Sequence, residues 1–182
     1  MDAALITGHI FIATSLDGFI ARENGDIGWL LERDDPAEDH GYDAFIADKD
    51  VIVMGRGSFD SIRHVTPWPY DRPVLILSAS LSESDLPPDL SGKVRVSART
   101  PADAMAMLRA EGRRRAYVDG GQLVQAFLRA RLIADMVITQ VPVLLGTGRR
   151  LFGAIPSDIP LIHQTTRTFP SGLVQSKYRV GP

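Results

Sequence analysis

Short, almost continuous apolar runs alternate along the chain with stretches whose apolar positions repeat at helical spacing. Residues 50–55 (DVIVMG) and 72–78 (RPVLILS) have the first pattern, that of strands buried on both faces. Residues 9–21 (HIFIATSLDGFIA) predict a buried strand followed by a turn at Asp17 and Gly18. Shorter strands are expected at 93–97 (KVRVS) and at RRAYVDG, which ends on the Gly120–Gly121 pair. A longer one is expected over 135–146, interrupted at Pro142.

Helical spacing appears between these runs. Thr100 as N-cap and Pro101 at the first position predict a helix over 100–112, stopped by Gly112. Apolar residues at 123, 124, 127 and 128 predict a second helix over 121–133. A short amphipathic helix is expected around Tyr42 to Ala47, and another helix just past Gly57, with Gly57 or Ser58 as its N-cap. Residues 81–92 are polar and proline-rich and read as surface loop. Residues 160–169 and 172–180 read as an antiparallel hairpin joined at Pro170–Gly172. Strands alternating with helices predict an α/β sheet covered on both faces, with the hairpin as an antiparallel edge.

Composition narrows the classes. A chain of 182 residues is long enough for one domain with a substantial core, and one domain spanning 1–182 is expected. Net charge is −2, without the basic surplus of a nucleic-acid or anionic-membrane binder. Cysteine is absent, which excludes disulfides and thiolate metal sites. The four histidines show no paired ligand spacing, so no metal is expected. Asp2 stands where a signal peptide would be basic, and the uncharged stretch 3–16 is too short to span a bilayer. A cytoplasmic location is expected.

Four stretches are candidates for chemistry. In Val118-Asp119-Gly120-Gly121, a carboxylate and two glycines separate a strand from a helix. Helix N-termini carry unpaired N–H groups, and glycine lets a phosphate approach them; the simpler reading is a tight turn. In MGRGSFDSI (54–62), Arg56 sits at a second strand–glycine–helix junction, where a guanidinium can pair with phosphate. ATSLDGFIARENGDIGW (13–29) holds Asp17 and Trp29, and PVLLGTGRRLF (142–152) holds Gly146 and Gly148. Two glycine junctions in one small domain suit one dinucleotide, one junction for each part of its phosphate chain.

In this order, SLDGFIA, VIVMGRGSFDSI, VLILS, YVDGGQLVQAFL, DMVITQVPVLLGTGRRLF and the closing hairpin resemble the dihydrofolate reductase-like family. The resemblance covers nearly the whole chain. It is strongest to the reductase domain of the bifunctional riboflavin-biosynthesis deaminase/reductase and its stand-alone relatives. No deaminase-type segment precedes these motifs, so a stand-alone reductase is expected. The resemblance implies a three-layer α/β/α sandwich with a mostly parallel central sheet and a C-terminal antiparallel hairpin. It also implies a homodimer and hydride transfer from NADPH to a C=N or C=O bond of a small heterocycle or ribosylaminopyrimidine-like compound. Dihydrofolate reduction, or a non-catalytic nucleotide-binding module on the same fold, are the alternatives.

By the same resemblance, Ala13 and Ile20 would hold the nicotinamide. Gly55, Arg56, Gly57 and Ser58 would hold phosphates and the adenosine ribose, with Ser78 near the adenosine. Gly120, Gly121, Gln122 and Leu123 would take the pyrophosphate, and Val124 would border the nicotinamide. Asp119 is the candidate catalytic acid; Asp17, Trp29 and Thr139 are candidate substrate contacts. Folate reductases anchor the pteridine through an acid on the first helix; here Asp39 and Asp43 are candidates and neither aligns cleanly. Many NADPH-dependent members have an arginine where Ala79 stands, so preference for NADPH rests on Arg56.

Overall fold

The computed structural model describes residues 5–181. Its centre is an eight-stranded sheet built on β1 (Thr7–Ser15), β3 (Val51–Gly55), β4 (Val74–Leu77), β5 (Val94–Ser97), β6 (Arg115–Asp119), β7 (Ile133–Val141), β9 (Leu161–Thr168) and β10 (Val174–Val180). The order is β5-β4-β3-β6-β1-β7-β10-β9. The first six strands in that order pair in parallel. The closing hairpin, β9 and β10, adds the antiparallel edge. Two further short strands, β2 (Phe19–Ala21) and β8 (Arg149–Arg150), pair with each other outside this sheet.

The apolar runs form strands because both sheet faces are covered. Along β3, Val51 and Val53 join one core cluster and Ile52 and Met54 the other. The first cluster is closed by α4 (Pro101–Ala110) and α5 (Gly121–Arg129), through Met105, Leu108, Val124 and Phe127. The second is closed by α2 (Tyr42–Ile46) and α3 (Arg56–Ile62), through Tyr42, Phe45 and Phe59. Phe59 and Phe127 are fully buried, and each contributes about 1.5–3 kcal/mol through that burial. The result is the expected α/β/α sandwich.

Boundaries move where local geometry overrides the pattern. Helix α3 begins at Arg56, with Gly55 as its N-cap, rather than after Gly57 or Ser58. Helix α5 stops at Arg129; Arg131 takes φ 55° and Ile133 already belongs to β7. The Thr100 cap is as expected, its hydroxyl accepting the Asp103 N–H at 3.3 Å. A one-turn helix, α1 (Gly28–Leu31), lies outside the helices expected from the pattern.

Candidate active site

The parallel strands all present their C-terminal ends to one side of the sheet, where ligands of such sheets bind. A cleft of about 1190 Å³ runs along that side. Two helices begin in its wall. Helix α5 starts at Gly121 with Gly120 as N-cap, and α3 starts at Arg56 with Gly55 as N-cap; neither has a side-chain cap. Their first turns therefore keep N–H groups without a side-chain acceptor. Ile12, Ala13, Ile20 and Leu123 form an apolar section of the lining, whereas Arg56, Arg99 and Arg149 bring guanidinium groups.

Most of the residues singled out from sequence meet here. Ala13, Ile20, Gly55, Arg56, Gly57, Ser58, Ser78, Gly120, Gly121, Gln122 and Leu123 line the cleft, together with Asp119. Four do not line it. Val124 is fully buried on the inner face of α5. Trp29 is buried against Val141, Phe169 and Leu173. Thr139 is buried and its hydroxyl accepts the Gln175 side-chain N–H at 3.0 Å. The Asp17 carboxylate accepts the Ser15 hydroxyl at 2.6 Å and the backbone N–H groups of Leu145 and Gly146. These four thus lie outside the lining of this cleft.

The glycine pair, expected to make room for pyrophosphate, is tightly packed on the side where a Cβ would project. A methyl group built on Gly121 would sit 2.6 Å from the Arg150 carbonyl oxygen, and one on Gly120 would sit 2.5 Å from the Ser58 hydroxyl. Gly120 further has φ +95°, which disfavours any side chain. The pair lets α5 pack against β8 and α3. Gly55 differs: a methyl group there would meet only Leu123, at 3.9 Å, an ordinary contact.

Asp119 ends β6 in the cleft wall. Burial raises its carboxyl pKa above the usual range; hydrogen bonds from the Ser58 hydroxyl, the Gly120 N–H and the Tyr117 hydroxyl act in the opposite direction. Tyr117 is held at this spot because its hydroxyl also donates to the Phe11 carbonyl at 3.1 Å. In the same cleft, Arg56 reaches Asp60 at 3.2 Å and donates to the Ser80 hydroxyl at 2.9 Å.

With this geometry in place, comparison with known proteins decides the family. Residues 7–175 match the sequence model of the RibD C-terminal domain. The chain belongs to the RibD C-terminal domain family. It is 32% identical over 165 residues to the uncharacterized protein YwjB of Bacillus subtilis (strain 168), covering 88% of this chain and 90% of that one. A solved structure from Shewanella sp. PV-4, whose name assigns it to riboflavin biosynthesis, is 36% identical with a TM-score of 0.90, covering 97% of this chain and 100% of that one. The Thermotoga maritima diaminohydroxyphosphoribosylaminopyrimidine deaminase/5-amino-6-(5-phosphoribosylamino)uracil reductase superposes with a TM-score of 0.71 at 14% identity. That match covers 97% of this chain and 57% of the other, and it shows the shared fold.

As a member of this RibD family the chain has cleft residues that sequence reasoning missed. Arg149 donates to the Glu23 carbonyl at 3.2 Å and lies over the first turn of α3, where a methyl group on Gly57 would come within 3.6 Å of it. The Arg150 guanidinium lies over the Phe19 ring, 4.5 Å from its centroid. Arg99 enters from the end of β5 and Ser80 from the loop after β4. The basic pair after Gly148 is the signal the sequence offers for Arg149 and Arg150. Among the described residues, no cluster of His, Cys, Asp or Glu could hold a metal ion, and no helix is long and apolar enough to cross a membrane.

Proposed function

We propose that this chain is an NADPH-dependent reductase acting on a small heterocyclic or ribosylaminopyrimidine-like compound. The observation that carries the reading is the composition of the long cleft: two helix starts, the guanidinium groups of Arg56, Arg99, Arg149 and Arg150, an apolar section, and the carboxylates of Asp60 and Asp119. The residues present fit the cofactor. A phosphate chain would find N–H donors at the start of α5 and guanidinium groups from Arg56 and Arg149. Arg56 and Ser80, already bonded to each other, form a site for the 2′-phosphate. Ala13, Ile20 and Leu123 offer an apolar seat for a flat ring.

When bound, NADPH supplies the hydride. The chain's part is to hold the acceptor bond and to provide the proton that balances the reduction. Asp119 retains a proton to higher pH than an ordinary aspartate, and its position lets it donate to, or polarise, the heteroatom of a C=N or C=O bond. Tyr117 and Ser58 fix the carboxyl in that orientation. The reading includes a cytoplasmic homodimer, for β9 forms the outer edge of the sheet with all eight of its residues exposed. The test is titration with NADPH and NADH, followed by nicotinamide fluorescence. Micromolar NADPH binding with weaker NADH binding is expected; absence of both overturns the proposal.

A further inference from the structure

The acidic stretch between α1 and α2 is fastened to the turn of the closing hairpin. Glu38 carries the main attachment. Its carboxylate accepts the Ser171 N–H at 2.8 Å and the Ser171 hydroxyl at 2.6 Å, and its side chain is only 8% exposed. Two residues on, His40 packs edge to face on Phe169, which opens the turn, with centroids 4.6 Å apart. The His40 carbonyl accepts the Gln175 side-chain N–H at 3.0 Å, and the same amide nitrogen donates to the Thr139 hydroxyl. Thr139 pairs in β7 with Ala13 of β1, which lines the cleft. The attachment therefore sits behind the cleft wall and directly before α2, whose N-cap is Gly41.

The His40 ring lies between two carboxylates. Its Nε2 is 3.3 Å from Glu38 and its Nδ1 is 3.6 Å from Asp34. A neutral imidazole has one N–H, so its other nitrogen turns a lone pair toward an acid; the imidazolium offers an N–H to each side. Positive charge is otherwise scarce here. Residues 32–40 hold Glu32, Asp34, Asp35, Glu38 and Asp39 against Arg33. Arg33 is turned to Glu32 and to the Trp29 carbonyl. Asp35 accepts the Ala37 N–H and Asp39 the Gly41 N–H. From the hairpin, Ser171 and Gln175 bring no charge, and the Arg167 guanidinium lies over the Phe169 ring, 5.0 Å from its centroid. The charge that offsets Glu38 and Asp34 is thus that of His40.

We propose that His40 is a proton-operated clasp: protonated, it holds the 32–40 loop on the hairpin turn; deprotonated, it lets that loop and the start of α2 loosen. A charged donor beside a nearly buried carboxylate offsets the cost of desolvating it. Loss of the proton leaves Glu38 its two bonds from Ser171 but removes the charge that Asp34 and Glu38 share. The clasp is therefore complete on the acid side and is released as pH rises. It needs no ligand, so it stands apart from the reductase reading.

The experiment is hydrogen exchange of the full chain, read by mass spectrometry and corrected for intrinsic exchange rates. The two conditions are about pH 5.5 and about pH 8, between which imidazoles ordinarily change charge. Peptides covering 32–41 and 169–173 should lose protection about five-fold at the higher pH, while β3 stays unchanged. In His40→Gln, which keeps an amide donor but takes no proton, that pH dependence should vanish. Glu38→Gln should loosen the loop at both pH values. Equal loop protection at the two pH values in the wild type overturns the proposal. So does a pH dependence undiminished in His40→Gln, or an equal change in β3, which marks global loosening.

Discussion

The Asp17 carboxylate accepts the backbone N–H of Gly146 at 2.7 Å, tying the turn after β1 to the loop before β8. The Ser15 hydroxyl and the Leu145 N–H complete its bonding. These bonds, the Ser15 hydroxyl foremost, lower the Asp17 pKa to about 2. A carboxylate lowered on folding stabilises the protein above its unfolded pKa, and that stabilisation fades as pH falls through the folded value. The contribution of Asp17 is therefore complete at neutral pH and is lost between about pH 4 and pH 2. Asp17→Asn should lower the melting temperature at pH 7 and flatten its decline in that acidic window. Thermal scans across pH check this; an unchanged acid profile would remove the staple.

Asp119 carries the opposite sign. Its pKa is raised by burial, so the folded state favours the protonated form. The stability associated with it is complete at low pH and is lost as pH rises through the folded pKa. Asp119→Asn keeps an oxygen to accept from Ser58 and removes the buried charge. The expected result is a higher melting temperature at pH 8 and little change at pH 4. Turnover of the true substrate should fall roughly 100-fold or more if Asp119 supplies the proton. NADPH affinity should stay nearly constant. Steady-state kinetics and thermal scans on one variant separate the two effects.

Arg56 and Arg149 approach the cleft from different elements and should differ in what they discriminate. Arg56 is bonded to Ser80, in the loop after β4. Arg149 lies over the start of α3. Loss of a charge-assisted bond to phosphate costs about 1.5–3 kcal/mol, roughly ten- to a hundredfold in affinity. Arg56→Ala should impose that loss on NADPH and spare NADH. Arg149→Ala should weaken both, because a pyrophosphate is common to the two. Fluorescence titration of each variant with each cofactor gives the four affinities. A uniform loss on Arg56→Ala would place that side chain on the shared part of the molecule.

The sheet was legible in the sequence because burial on both faces leaves a strong trace. Val51, Ile52, Val53 and Met54 point alternately into two cores, so no polar residue interrupts the run. Most of the residues that line the cleft were legible too, because glycine and arginine at strand–helix junctions stand out in the sequence. The surroundings of Trp29 and Thr139 were not. Trp29 and Thr139 look like site residues from type and order, but their burial depends on Phe169, Leu173 and Gln175, over 30 residues away in each case. Strand β8 is two arginines whose pairing with β2 leaves no periodic signal. The bond between Glu38 and Ser171 joins residues 133 positions apart, a proximity that only the fold creates.

The exposed edge predicts association. Strand β9 pairs on one side only, with β10, and Leu161 and Ile162 on it are 45% and 42% exposed. Open edges invite pairing with another chain. Light scattering at micromolar concentration should give twice the chain mass. Ile162→Lys should shift the protein toward monomer while circular dichroism stays unchanged. A monomeric wild-type protein would refute the dimer.

Two glycines in the cleft should respond in opposite ways to the same added methyl group. Gly121→Ala places its Cβ 2.6 Å from the Arg150 carbonyl oxygen and 3.0 Å from the Ile20 side chain. Backbone and a packed side chain must both move, and overpacking of that kind costs about 1–3 kcal/mol. Its melting temperature should fall, and any loss of NADPH affinity should follow from displaced β8. At Gly55 the backbone has φ −82° and ψ 165°, which alanine adopts freely, and the methyl group meets only Leu123 at 3.9 Å. Gly55→Ala should therefore melt like the wild type and bind NADPH more weakly, since the methyl group projects into the open cleft. Paired thermal scans and titrations decide between these outcomes. If Gly55→Ala binds NADPH normally, the cofactor does not approach the α3 junction, and the cleft must be assigned to another ligand.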